Sequence, residues 1–201
     1  DERLQEAYKS LDLDSLSDVQ KVKAIYDFIL DNTEYDELHL SDDAYTLKFS
    51  AYAALIDHSA VCQGYGNLLY RMLLDNDIDC RCIPGTGKNT LGMEGHLWNI
   101  VRVGGEYFNV DVTWDDQPDR AYRFFLKEED FFEEEHFRDA EFITDSFLKE
   151  YPMGEKDYPW SGEKAGKTVY EEGSEDFTQG DGRDLAFLSR DETGIERELS
   201  S

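Results

Sequence analysis

A chain of 201 residues, 40% of them hydrophobic, is long enough for one packed domain and an appendage. Its formal charge of −26 repels phosphates, which argues against nucleic acid or an anionic membrane surface as a partner. No apolar run approaches the roughly 20 residues that span a bilayer, and with three cysteines at least one thiol is left unpaired.

Residues 1–11 read as a short helix. Ser17 and Gln20 form a capping box, and Val19, Val22, Ile25, Tyr26 and Ile29 follow at helical spacing to about Asn32. Residues 34–48 are acidic and irregular, a segment that could rim a cleft, with His39 as a surface residue. Residues 49–56 suggest a helical approach to the next element. Tyr52 in that approach has two readings, a core residue (the favoured one) or an oxyanion donor. His58 sits in a polar turn without an evident partner.

Val61, Tyr65, Leu68, Leu69, Met72 and Leu73 make one apolar stripe of a helix, with Ser59 as expected N-cap and Asn76 as stop. Cys62 therefore falls in the first turn, where unpaired backbone N–H groups and the helix dipole favour a thiolate. A buried structural cysteine is the alternative. Gly64 and Gly66 are poor helix formers, and a close approach by another backbone or a substrate is one reason for them.

Residues 79–84 read as a strand, with Cys80 and Cys82 on one face as reduced core residues. Their CxC spacing, without a second pair, matches neither a zinc site nor a CxxC redox motif. Residues 84–95 are glycine-rich and expected as a mobile flap beside His96. Residues 96–103 and 106–113 are strands joined by Gly104-Gly105, a two-residue hairpin turn. That turn sets Val103 against Glu106, Trp98 against Asp111 and His96 against Thr113. His96 and Asp111 then become diagonal neighbours on one face, roughly 7–8 Å apart at the backbone. Leu97, Val101, Val103, Phe108, Val110 and Val112 occupy the other face, a core surface. Further on, residues 122–126 are expected as a strand and 128–137 as a helix with Phe131 and Phe132 inward and His136 structural at its end. From Gly154 the chain turns polar, acidic and glycine-rich.

VCQGYGNLLYRMLL followed by GHLWNIVRVGGEYFNVDVTWDD resembles the core of the transglutaminase-like superfamily. The likeness runs from about Val22 to about His136. It implies an α+β, papain/transglutaminase-like fold with the nucleophile helix packed against an antiparallel sheet. It also implies Cys62, His96 and Asp111 as nucleophile, base and orienting acid. The expected domain is residues 1–153, its core about 22–137, with 154–201 a tail or small appended element. The implied activity is acyl transfer on protein or peptide amides through a thioester, ending in hydrolysis or transamidation, without cofactor or metal. The backbone N–H of Cys62 is the first oxyanion candidate, and Gln63, Trp98 and Trp114 are candidates for the substrate cleft. A non-catalytic surface-binding module on the same fold is the rival reading. The chain opens at Asp1 without a start methionine, and an extracellular or cell-surface location is expected, a cytoplasmic one being the alternative.

Overall fold

The computed structural model describes residues 2–90 and 92–160. Helix α1 (Glu2–Leu11) leads into α2 (Asp18–Asn32). Gln20 Oε1 accepts from the Ser17 backbone N–H at 3.0 Å, the reach-back half of the expected capping box. Val22, Ile25, Tyr26 and Ile29 are fully buried, as their helical spacing requires.

Residues 34–48 are mostly irregular, but β1 (Glu34–Tyr35) pairs in parallel with β2 (Ser59–Ala60). Between them run a 3-10 turn, Thr46–Phe49, and a π-helical turn, Ala53–Asp57. Tyr52 is 57% exposed, so it is not the expected core residue. His58 does have a partner, with its Nδ1 2.7 Å from the Asn32 carbonyl oxygen.

Ser59 does not cap α3 (Cys62–Asp75); it lies in β2, and the N-cap is Val61 in an extended conformation. The competing force is strand pairing. The Val61 N–H bonds the Lys48 carbonyl at 3.1 Å and the Asp36 N–H bonds Ala60 O at 3.0 Å. The chain therefore arrives at Cys62 fully extended and pinned from both sides. Gly64 permits this close entry, because a Cβ there would stand 2.5 Å from Ala60 Cβ and 2.9 Å from the Lys48 carbonyl oxygen.

Strands β3 (Cys80–Asn89), β4 (Gly92–Val103), β5 (Glu106–Val110) and β6 (His136–Arg138) form an antiparallel sheet in the order β5-β4-β3-β6. Residues 84–95 are not a flap. They are the paired arms of the β3–β4 hairpin, whose ladder continues out to Asn89 opposite Gly92. Gly104 and Gly105 turn with φ of 65° and 100°, and the expected register follows, Val103 against Glu106 through to Asn99 against Val110.

β5 then stops three residues earlier than the alternation suggested. The Asp111 N–H bonds the Phe124 carbonyl at 3.0 Å and the Asp115 N–H returns to Asp111 O at 3.2 Å, so residues 111–115 form a turn. The expected strand at 122–126 is absent for a related reason. The Phe124 N–H is taken by the Asp115 carboxylate at 3.1 Å, and Tyr122 and Leu126 have left-handed φ of 48° and 53°. The expected helix at 128–137 is only α4 (Glu129–Phe132), after which the chain re-enters the sheet as β6.

Both faces of the sheet are covered. Leu97 and Asn99 meet α3 at Gly66. The other face packs Ile83, Trp98 and Ile100 against Tyr107, Phe124 and Phe132. After α5 (Asp145–Glu150) the chain still packs on this domain: the Tyr158 N–H bonds Leu126 O at 3.0 Å and Trp160 meets Phe125 edge-on. The segment expected as a tail lies, from residue 161 on, outside the described residues.

Gly64→Ala separates propensity from packing. In an open helix it would gain about 1 kcal/mol. Here the new methyl meets backbone that cannot yield, and overpacking of this kind costs roughly 1–3 kcal/mol. The urea midpoint is expected to fall with the slope unchanged. A rise in the midpoint would show that the β2–α3 entry is not tight.

Candidate functional site

The extended β2 delivers Cys62 as the first residue of α3, half-buried, with its backbone N–H beyond the reach of any intrahelical acceptor. β4 carries His96, 7% exposed, to the same place. The turn after β5 supplies Asp111, 1% exposed. His96 Nε2 stands 2.6 Å from Asp111 Oδ2. With Nε2 so engaged, Nδ1 is the ring nitrogen left for Cys62, whose side chain is near enough to favour the His96 imidazolium. The structure thus brings together Cys62, His96 and Asp111.

Burial works against the His96 imidazolium. The charge of Asp111, the hydrogen bond to it, and the hydrogen bond and charge of Cys62 outweigh that burial, and the His96 pKa is pushed up to about 10. Burial would likewise raise the Asp111 carboxyl. The His96 charge and hydrogen bonds from His136 and His96 hold it well below the usual carboxylate range instead.

Three other members of the site differ from expectation. His136 is not at a helix end; it begins β6, is 2% exposed, and places Nε2 2.9 Å from the same Asp111 Oδ2. Trp98 does not line a cleft. It is 1% exposed behind His96, with its Nε1 donating to Asn109 Oδ1 at 3.1 Å. Tyr35, in the segment expected to rim the cleft, is the tyrosine that senses Cys62. Its phenol is pushed up to about 12 by partial burial and then by the negative charges of Cys62, Glu94 and Asp111. The described contacts of Tyr52 do not include Cys62. Trp114 is half-buried and stacks on the His96 ring, centroids 4.9 Å apart, while Gln63 beside Cys62 is exposed.

His136 gave little signal in the sequence, because FFEEEHFR scans as a helix end. Only its return to β3, Gly87 opposite His136, carries it to Asp111. Tyr35 was hidden by a two-residue strand too short for alternation to reveal.

The DVTWDD tract spends its carboxylates on three tasks. Asp111 faces the histidines, and its Oδ1 accepts from the Trp114 N–H at 3.1 Å. Asp115 takes the Tyr26 hydroxyl of α2 at 2.8 Å as well as the Phe124 N–H. Asp116 lies 2.7 Å from the Tyr65 hydroxyl of α3. Asp115 is itself buried, which with the nearby charge of Asp111 pushes it up to about 6 against the pull of its hydrogen bonds.

His96, Asp111 and His136 offer ligand atoms within 4.8 Å of one another, a donor set that a divalent metal could use. Their separations of 2.6 and 2.9 Å are already those of charge-assisted hydrogen bonds. Cys80 and Cys82 are free thiols on one face of β3, both facing the Asn99 amide. Burial raises Cys80 well above the usual thiol range and Cys82 to about 11.

Comparison with known proteins adds the following. The chain is 29% identical over 119 residues to the kyphoscoliosis peptidases of Mus musculus and of Homo sapiens, covering 55% of this chain and 18% of each of them. It thus spans under a fifth of the length of these curated relatives. A solved structure described as a TGase aligns over 56% of this chain and 31% of its own, with 18% identity and a TM-score of 0.49. The family model of the transglutaminase-like superfamily matches residues 7–112, more than half the chain and inclusive of Cys62, His96 and Asp111. The α+β chain, with its cysteine-headed helix against an antiparallel sheet, belongs to the transglutaminase-like superfamily.

Proposed function

We propose that this protein is a cysteine-dependent acyltransferase or peptidase acting on protein or peptide amides. The observation that carries the reading is His96 held by Asp111 through one ring nitrogen, with Cys62 near enough to favour the His96 imidazolium. Membership of the family supports cysteine-dependent catalysis in general. The steps that follow are derived from the chemistry of these side chains.

Cys62 attacks the amide carbonyl as the thiolate, forming a C–S bond and an oxyanion. The free N–H of Cys62 is placed to donate to that oxyanion. His96, as imidazolium, gives its proton to the departing amine as the C–N bond breaks, leaving a thioester. It then takes a proton from water or a primary amine as either attacks the thioester carbonyl, and the C–S bond breaks to release the product and return Cys62 as the thiolate. Asp111 fixes the ring and stabilises its charged form throughout. The aromatic rings of Trp114 and Trp98 flank His96 and keep the pair in a low-dielectric setting where it is stronger. The name of the peptidase relatives favours water as acceptor.

Incubation with a peptide mixture and a labelled primary amine, read by mass, separates the outcomes. Cleaved or deamidated peptides mark hydrolysis, and incorporated label marks transamidation. Cys62→Ala and His96→Ala are expected to abolish either product. Asp111→Asn is expected to lose less than the roughly 10⁴-fold of the same change in a serine triad, since a thiol needs less help. Limiting iodoacetamide is expected to label Cys62 ahead of Cys80 and Cys82. Full activity in Cys62→Ala, or label mainly on Cys80, would refute the assignment.

The ion pair also has a pH signature. His96 is raised from 6.5 to about 10 on folding, so its contribution to stability is complete below about pH 6.5 and is lost as pH rises through about 10. Asp111 is depressed from 3.8, so its contribution is present above about that pH and is lost as pH falls through the folded value. Wild type is therefore expected to exceed His96→Gln in unfolding free energy most between these limits, with the gap narrowing towards pH 10. A gap independent of pH would contradict the pairing.

A further inference from the structure

Asp111 Oδ2 serves two histidines. His96 Nε2 lies 2.6 Å away and His136 Nε2 2.9 Å away, with the two ring centroids 5.6 Å apart. A carboxylate can only accept, so His136 must present an N–H from Nε2. Its Nδ1 is buried and finds no hydrogen-bond partner among the described residues. The Nε2–H is thus the proton of this ring that the site holds in a hydrogen bond. The ring is fixed by Phe132 at 4.4 Å, Trp114 at 4.3 Å and Trp98 at 5.0 Å between centroids.

We propose that His136 is a positioning residue for the Cys62–His96–Asp111 group, drawing off part of the Asp111 charge so that the His96 imidazolium can release its proton. This rests on the cysteine acyl-transfer reading. A carboxylate that served His96 alone would hold the imidazolium more tightly and make it a weaker acid towards the departing amine. Two donors on one oxygen divide its charge, and each bond weakens the other. Removal of the His136 N–H therefore concentrates the charge on His96. It does not free Asp111 to swing away, because Oδ1 stays bonded to the Trp114 N–H and the Asp111 backbone N–H to Phe124 O.

Among the described residues the other ionisable groups acting on this cluster are Cys62 from α3, Tyr26 from α2, Tyr35 from β1 and Asp115 from the turn after β5, with Glu94 from β4 acting on Tyr35. Asp111 holds both histidines directly, and Cys62 acts on His96. Tyr26 and Asp115 lie behind Asp111, bonded to each other at 2.8 Å, and Tyr35 and Glu94 belong to the outer side. His136→Phe leaves all of these in place and preserves an aromatic ring in the packing. It removes only the donor. His136→Gln returns an N–H to the same region.

The test uses iodoacetate and iodoacetamide on the full chain, with modification of Cys62 read by mass. The anionic reagent is favoured over the neutral one while His96 is charged, so the ratio of the two rates steps down as His96 loses its proton. In wild type the step is expected near pH 10. Its absence there would refute the His96–Cys62 pair and with it the functional reading. With the step present, His136→Phe is expected to move it up by about one pH unit, a tenfold change in acidity. His136→Gln is expected to bring it back towards wild type. A step that does not move, moves down, or moves alike in both variants overturns the proposal and leaves the acyl-transfer reading standing. Should His136→Phe fail to fold, ring-nitrogen NMR of the wild type decides: a proton on Nε2 hydrogen-bonded to Asp111 upholds the proposal, and a bare Nε2 overturns it.

Discussion

Asp111 is a carboxylate that solvent does not reach, and the surrounding fold is arranged to keep it ionised. A buried charge is tolerable only with full hydrogen bonding and a countercharge. Both are supplied by elements far apart in sequence: His96 from β4, His136 from β6 and the Trp114 N–H from its own turn. The early end of β5 follows from this. Had the strand run on, residues 111–115 would have been spent on ladder bonds, and the Trp114 N–H could not have folded back on the carboxylate. The loss of three strand residues is the structural cost of holding the Asp111 carboxylate in place.

The same constraint explains the tract's repetition of aspartate. Three carboxylates within six residues would repel one another in a shared environment. Each is instead assigned a different donor: two imidazoles, the Tyr26 hydroxyl and the Tyr65 hydroxyl. Two of those donors stand on α2 and α3. The turn that carries Asp111 therefore also anchors both helices to the sheet, and the helix headed by Cys62 is tied directly to that turn.

How much of this was legible in the sequence depended on the range of the forces at work. The stripe of α3, the α2 capping box and the Gly104-Gly105 register are local, and each was readable from residue spacing. So was the meeting of His96 with Asp111, since a two-residue turn fixes the pairing. What stayed hidden was decided by distant partners. Ser59 is a good cap by type, yet pairing with β1 claimed it for a strand. Residues 122–126 are aromatic and apolar enough to read as a strand, yet Asp115 captures the Phe124 N–H. His136 has no local feature to distinguish it from a helix-end histidine. Trp98 shares a face with His96, as alternation implied, but the packing of Phe132 and Tyr107 against that face closes it to solvent.

Away from the candidate site, the Cys80–Cys82 pair has a consequence of its own. The two sulfurs lie under α3 with the Asn99 amide between them, and burial holds both as neutral thiols. Neutral thiols react slowly with electrophiles and oxidants. Successive same-face positions on an extended strand also hold their side chains apart at a spacing poorly suited to a disulfide. The chain's three thiols are thus not equivalent, and Cys80 and Cys82 are poor targets for oxidants and for thiol exchange.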